Sequence, residues 1–74
     1  MKTFGLSLFS GVGGSDAVDD AVNSVDLSGF PRVDIKTSPT PNYRYVVIVP
    51  DIIDLNALRE TLSKYDLSLD REIT

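Results

Sequence analysis

The chain has 74 residues, seven Lys and Arg against eleven Asp and Glu, and a formal net charge of −4. It contains neither cysteine nor histidine, which removes disulfides, thiol nucleophiles, zinc–cysteine centres and the commonest general base and metal ligand. This length suits one small domain spanning residues 1–74, the acidic balance opposes binding to nucleic-acid phosphates, no basic stretch followed by an apolar one suggests a secretory leader, and no apolar run is long enough for a bilayer span; a soluble, cytoplasmic protein is expected.

Lys2 to Phe9 alternates, with Phe4, Leu6 and Leu8 on one face and Thr3, Gly5, Ser7 and Phe9 on the other. That is the pattern of a half-buried strand. Ser10 to Gly14 follows as a glycine-rich turn, and Ser15 is placed to cap a helix. Val18, Ala21, Val22 and Val25 then share one helical face, while Asp16, Asp19 and Asp20 lie early in the helix, where its dipole favours negative charge. The valines weaken the intrinsic propensity of this helix.

Leu27 to Pro31 reads as a turn with Gly29 in the left-handed region. Arg32 to Lys36 alternates again, with Val33 and Ile35 inward and charges outward, as in a protected edge strand. Thr37 to Pro41 is a rigid connection with two prolines. Tyr43 to Val49 is β-branched or aromatic almost throughout, so both its faces are expected to be at least partly covered. Pro50 ends that strand. Asp54 is a helix N-cap, and Ile53 and Leu58 occupy the two positions of a hydrophobic staple. Leu55, Leu58, Leu62 and Tyr65 form the apolar stripe of the second helix. Leu67 to Ile73 supplies a last short strand of mixed charge.

The element order is therefore β-α-β-β-α-β. Two interleaved βαβ units of this kind give the ferredoxin-like α+β sandwich, a four-stranded antiparallel sheet with both helices on one face. Its first and third strands are central, and here those two are the most apolar; its second and fourth are edges, and here those carry the charges. The open face is expected to hold Gly5 and Ser7 beside Tyr43, Tyr45 and Val47.

Three stretches invite a chemical reading. Phe9, Gly11, Gly13 and Gly14 resemble the F-x-G-x-G-G cofactor loop that follows a strand in the cytosine-5 DNA methyltransferases, and Gly29, Phe30 and Val33 fall near that family's next strand. The resemblance implies an S-adenosylmethionine site, yet it covers less than half the chain. The family's attacking cysteine is missing, and Ser7 and Leu8 stand where an acidic residue precedes the phenylalanine. The glycines are read as a strand-to-helix turn with positive φ, and no cofactor is expected. Small ligand-binding regulatory domains of the ACT type share the strand order and bind amino acids near a glycine after the first strand. Gly11, Gly13, Gly14 and Ser15 would be the positions here.

Asn42 to Val46 resembles the third-strand motif of RNA-recognition domains, where two aromatics at this spacing stack on bases. The spacing puts Tyr43 and Tyr45 on one face. The basic residues that accompany such motifs are mostly missing, so nucleic-acid binding is not expected. The rings either pack across small neighbours such as Gly5 or serve a protein interface, where tyrosine and arginine are enriched. Asp16, Asp19 and Asp20 lack the spacing of a calcium loop; they are read as helix-start charges with a solvated face, and no metal is expected. Asp66, Asp70 and Glu72 are read as solvent charges.

With no catalytic apparatus in view, the chain is expected not to be an enzyme. It reads as a small acidic protein-binding module, either self-associating or an inhibitor or adaptor of the kind phages and mobile elements encode. Its contacts would run through Asp16, Asp19 and Asp20 or through an exposed sheet face bearing Tyr43 and Tyr45. The alternative is an ACT-like ligand sensor with its site at Gly11 to Ser15.

Overall fold

The computed structural model describes residues 1–11 and 14–73, and of Ser15 the backbone alone. Six elements follow one another: β1 (Lys2–Leu8), α1 (Gly14–Ser24), β2 (Asp34–Thr37), β3 (Tyr45–Val49), α2 (Leu55–Ser63) and β4 (Leu67–Glu72). The four strands form one sheet in the order β2-β3-β1-β4, and every neighbouring pair is antiparallel. This is the ferredoxin-like arrangement. Each helix crosses between strands that have one other strand between them, so neither crossover pair is hydrogen-bonded directly.

Register fixes which residues share a face. Phe4 stands opposite Val47 and Leu6 opposite Tyr45, Ile35 faces Val47, and Leu6 and Leu8 face Leu69 and Leu67. These residues point toward the helices. Phe4, Leu6, Val47, Val49 and Leu67 join Leu58 and Leu62 of α2 in one buried core, with Ala21, Val22 and Val25 packed against it. The other face carries Thr3 and Gly5 opposite Ile48 and Val46, with Asp34 and Lys36 beside them on β2 and Ser7 beside Ser68 on β4.

α2 forms for the reasons its sequence suggests. The Asp54 carboxylate accepts from the Ala57 N–H at 3.1 Å, satisfying one of the free donors of the first turn, and Ile53 and Leu58 both reach the core. Leu58 and Leu62 lose all their exposure. Burying two leucines contributes about 3 to 6 kcal/mol by area, an upper bound because the unfolded chain already buries some apolar surface.

Three local expectations need correction. β2 is the segment Asp34–Thr37 rather than Arg32 to Lys36. Gly29 is not in the left-handed region; Arg32 is, at φ 70°. The Val33 N–H donates to the Phe30 carbonyl at 3.3 Å, so Phe30-Pro31-Arg32-Val33 is a turn with proline second and a positive φ third, the type II pattern. Pro31 sets the position of that turn, and the left-handed residue follows it. Tyr43 and Tyr45 also part company. β3 begins at Tyr45, after a bend at Arg44, so the two-residue alternation does not extend back to Tyr43. Tyr45 and Val47 consequently lie on the helix side rather than on the open face.

Candidate functional site

The residues singled out by sequence fall in three places. On the helix side, Asp19 of α1 gathers two partners from the start of β3. Arg44 donates through Nε at 2.7 Å and through Nη2 at 3.0 Å, one bond to each carboxylate oxygen. The Tyr45 hydroxyl donates to Asp19 Oδ1 at 2.6 Å, and the Arg44 guanidinium lies 5.9 Å from the Tyr45 ring centre, within cation–π range. Hydrogen bonds from Arg44 and then Tyr45 hold the Asp19 carboxyl below the usual carboxylate range. The same contact pushes the Tyr45 phenol up, since ionising it beside a carboxylate is unfavourable. Asp19 is therefore a tie between α1 and the sheet. Asp16 and Asp20 remain exposed, Asp20 at the rim of a crevice between α1 and the turn after α2.

On the open face, Tyr43 lies across Gly5. A Cβ built on Gly5 would stand 2.5 Å from the Tyr43 ring, so the missing side chain is what lets the ring settle against the strand. Val46, the cross-strand neighbour of Gly5, is buried on this face although no helix covers it. Ile48 is half-buried beside it. Around this apolar centre stand Thr3, Ser7 and Ser68, half-buried, and the exposed Asp34 and Lys36.

The third place is the end of the molecule where β1 runs toward α1. Gly11 and Gly14 have φ of 72° and 66°, values a side chain rarely adopts. They border a groove of about 350 Å³ together with Ser7, Val18, Tyr43 and Arg44. Gly13 and the side chain of Ser15, which complete the ligand-site expectation, lie outside the described residues.

Asp66 fixes the start of this loop, a role its sequence neighbourhood does not announce. Its carboxylate accepts from the Ser10 N–H at 3.0 Å and from the Ser10 hydroxyl at 2.7 Å, and its carbonyl accepts from the Phe9 N–H at 2.7 Å. Asp66 itself sits at φ 61°, two residues past the Lys64 cap of α2, in a backbone region that non-glycine residues seldom adopt. The expectation of a solvent charge at Asp66 is thus corrected: it is half-buried and joins the turn after α2 to the turn after β1. Its partners Ser10 and Phe9 are 56 and 57 positions away in sequence, so only the fold could reveal it.

Among the described residues no group of three or more His, Cys, Asp or Glu side chains is arranged to hold a metal ion, and no helix is long and apolar enough to cross a membrane. Comparison of the chain with protein-family models, with curated proteins and with solved structures gives no match.

Proposed function

We propose that this chain is a small acidic protein-binding module that engages a basic protein partner through the helix-free face of its sheet. The observation that carries this reading is the composition of that face: Ile48 and the Tyr43 ring at the centre, over the buried Val46, and Thr3, Ser7, Ser68, Asp34 and Lys36 around them. An apolar centre within a polar rim is the anatomy of protein interfaces, and aromatic residues are the anchors of such contacts. Tyr43 is held against Gly5 before any partner arrives, so little side-chain freedom is lost on binding. The partner's chemistry follows from charge: at −4 the chain attracts a basic surface and repels a second copy of itself. In this reading Tyr45 and Asp19 support the fold, while the exposed Asp16 and Asp20 contribute to the acidic field that steers the approach. An inhibitor or adaptor would work in this way, by occupying a surface rather than by chemistry.

Paired affinity capture tests the proposal, with the wild-type chain and Ile48→Arg as baits in a lysate of the source cells. A protein retained by the first and released by the second supports it. Equal retention by both baits, or capture of nothing by either, contradicts it.

A second reading is supported by the groove beside Gly11 and Gly14. Its size of about 350 Å³ suits a small ligand, as an ACT-like sensor requires. Thermal shift against millimolar amino acids and S-adenosylmethionine separates the two: a ligand that binds only the native state raises the melting temperature, and a flat response removes this reading.

A further inference from the structure

The two helices are held to the sheet in different ways. α2 inserts Leu58 and Leu62 completely into the core. None of the described side chains of α1 is fully buried; Ala21 and Val22 meet the core only in part. Nor does α1 have strong helical character of its own. Its 11 residues, GSDAVDDAVNS, are mostly poor helix formers, and a helix this short does not persist alone in water. A crevice of about 390 Å³ separates it from the turn after α2, with Ala17, Asp20, Ala21 and Ser24 of α1 on one wall and Leu8, Tyr65 and Asp66 on the other. The apolar seam on that side of α1 is therefore not closed by packing. One attachment is specific: Asp19 is the α1 residue, among those described, whose side chain is hydrogen-bonded to the sheet side of the molecule. It receives three bonds of 2.6 to 3.0 Å from Arg44 and Tyr45.

We propose that α1 is a lid that opens as a unit from a body formed by the sheet and α2, and that the Asp19–Arg44–Tyr45 cluster is its latch. Local opening selects elements with little buried apolar surface, and of the two helices α1 has the less. Because all three latch bonds converge on one carboxylate, they are lost together when the helix lifts. Opening uncovers Leu8 and Tyr65 at the crevice. It also dismantles the groove beside Tyr43, since Gly14 and Val18 of α1 form one wall and Tyr43 and Arg44 another. The groove thus belongs to the latched state alone. This proposal does not depend on which partner the sheet face takes.

Residue-resolved amide hydrogen exchange on the full chain under native conditions tests it. Amides of α1 are expected to exchange faster than those of α2. Tyr45→Phe, which deletes one hydroxyl and keeps the ring in the core, is expected to speed α1 exchange several-fold while leaving α2 unchanged. Asn23→Gln, at an exposed position of the same helix that borders neither the crevice nor the groove, is the control and leaves both helices as they were. Equal exchange of the two helices in the wild type would overturn the proposal, as would a Tyr45→Phe effect that is absent or falls on both helices alike.

Discussion

Among the described residues, two other than glycine occupy the left-handed backbone region, Arg32 and Asp66, and they should answer substitution in opposite directions. The Arg32 side chain is exposed and offers nothing to offset a conformation that costs an ordinary residue about 1–2 kcal/mol. Arg32→Gly removes that cost but gives the unfolded chain more freedom, about 0.5–1 kcal/mol. The net is a gain of up to about 1.5 kcal/mol, which a thermal melt would show as a rise of a few degrees. Asp66→Gly relieves the same backbone strain but deletes both bonds to Ser10, each worth about 1 kcal/mol net. A loss of about 1 kcal/mol is expected, read by urea unfolding. If Asp66→Gly stabilised the chain, the account of Asp66 as a clamp would be wrong.

Gly5 makes a third test at this scale. Alanine there would meet the Tyr43 ring at 2.5 Å, and overpacking of this kind typically costs about 1–3 kcal/mol. In a Tyr43→Ala background the clash is gone and Gly5→Ala should be neutral or stabilising, because glycine within a strand is itself unfavourable. A double-mutant cycle measures the difference. Additive effects would mean that the ring does not rest on Gly5.

Among the elements, α2 was legible and α1 only in part. The Asp54 cap, the Ile53–Leu58 staple and the leucine stripe are local signals lying within a few positions of one another, so a sequence can display them. The central or edge rank of each strand was legible too, since apolarity on both faces is tied to having two neighbours. The tasks of Asp19, Asp66 and Tyr43 were not. Asp19 meets Arg44 and Tyr45 across 25 and 26 positions, and an acidic residue near a helix start already has an adequate local explanation. The separation of Tyr43 from Tyr45 arises at the Arg44 bend, where alternation, the very signal used to assign faces, stops applying. Arg44 turns aside there to reach Asp19, and that attachment leaves Tyr43 to cross to the open face.

The α1 tie carries a pH signature. The Asp19 carboxyl is held below its ordinary value of 3.8 by Arg44 first and Tyr45 second. A carboxyl lowered in the folded state adds stability above its unfolded pKa and loses that contribution as pH falls through the folded one. The stability difference between the wild type and Asp19→Asn should therefore be full at neutral pH and close progressively below about pH 4. Taking the difference cancels the contributions of other carboxylates. Urea midpoints across the acid range would show it, and a gap that stayed constant to the lowest pH would contradict the latch.

For the molecule as a whole, the edges of the sheet discourage indiscriminate pairing. β2 offers four residues, two of them the charged Asp34 and Lys36, and β4 carries a register shift between Leu69 and Glu72, at the exposed Asp70 and Arg71. Short, charged or irregular edges resist strand addition from other chains. Together with the net charge of −4, they lead us to expect a monomer by light scattering. A dimer that Ile48→Arg separates would instead assign the open face to a second copy of the chain.

The claim that the helix-free face receives a protein partner is tested most directly by hydroxyl-radical footprinting of the chain, free and in the complex recovered by affinity capture. Tyr43 and Tyr65 have the same intrinsic reactivity but lie on opposite sides of the sheet, so each calibrates the other. The account expects labelling of Tyr43 and Ile48 to fall on binding while Tyr65 keeps its rate. Unchanged labelling of Tyr43 and Ile48, with protection appearing elsewhere, would contradict it.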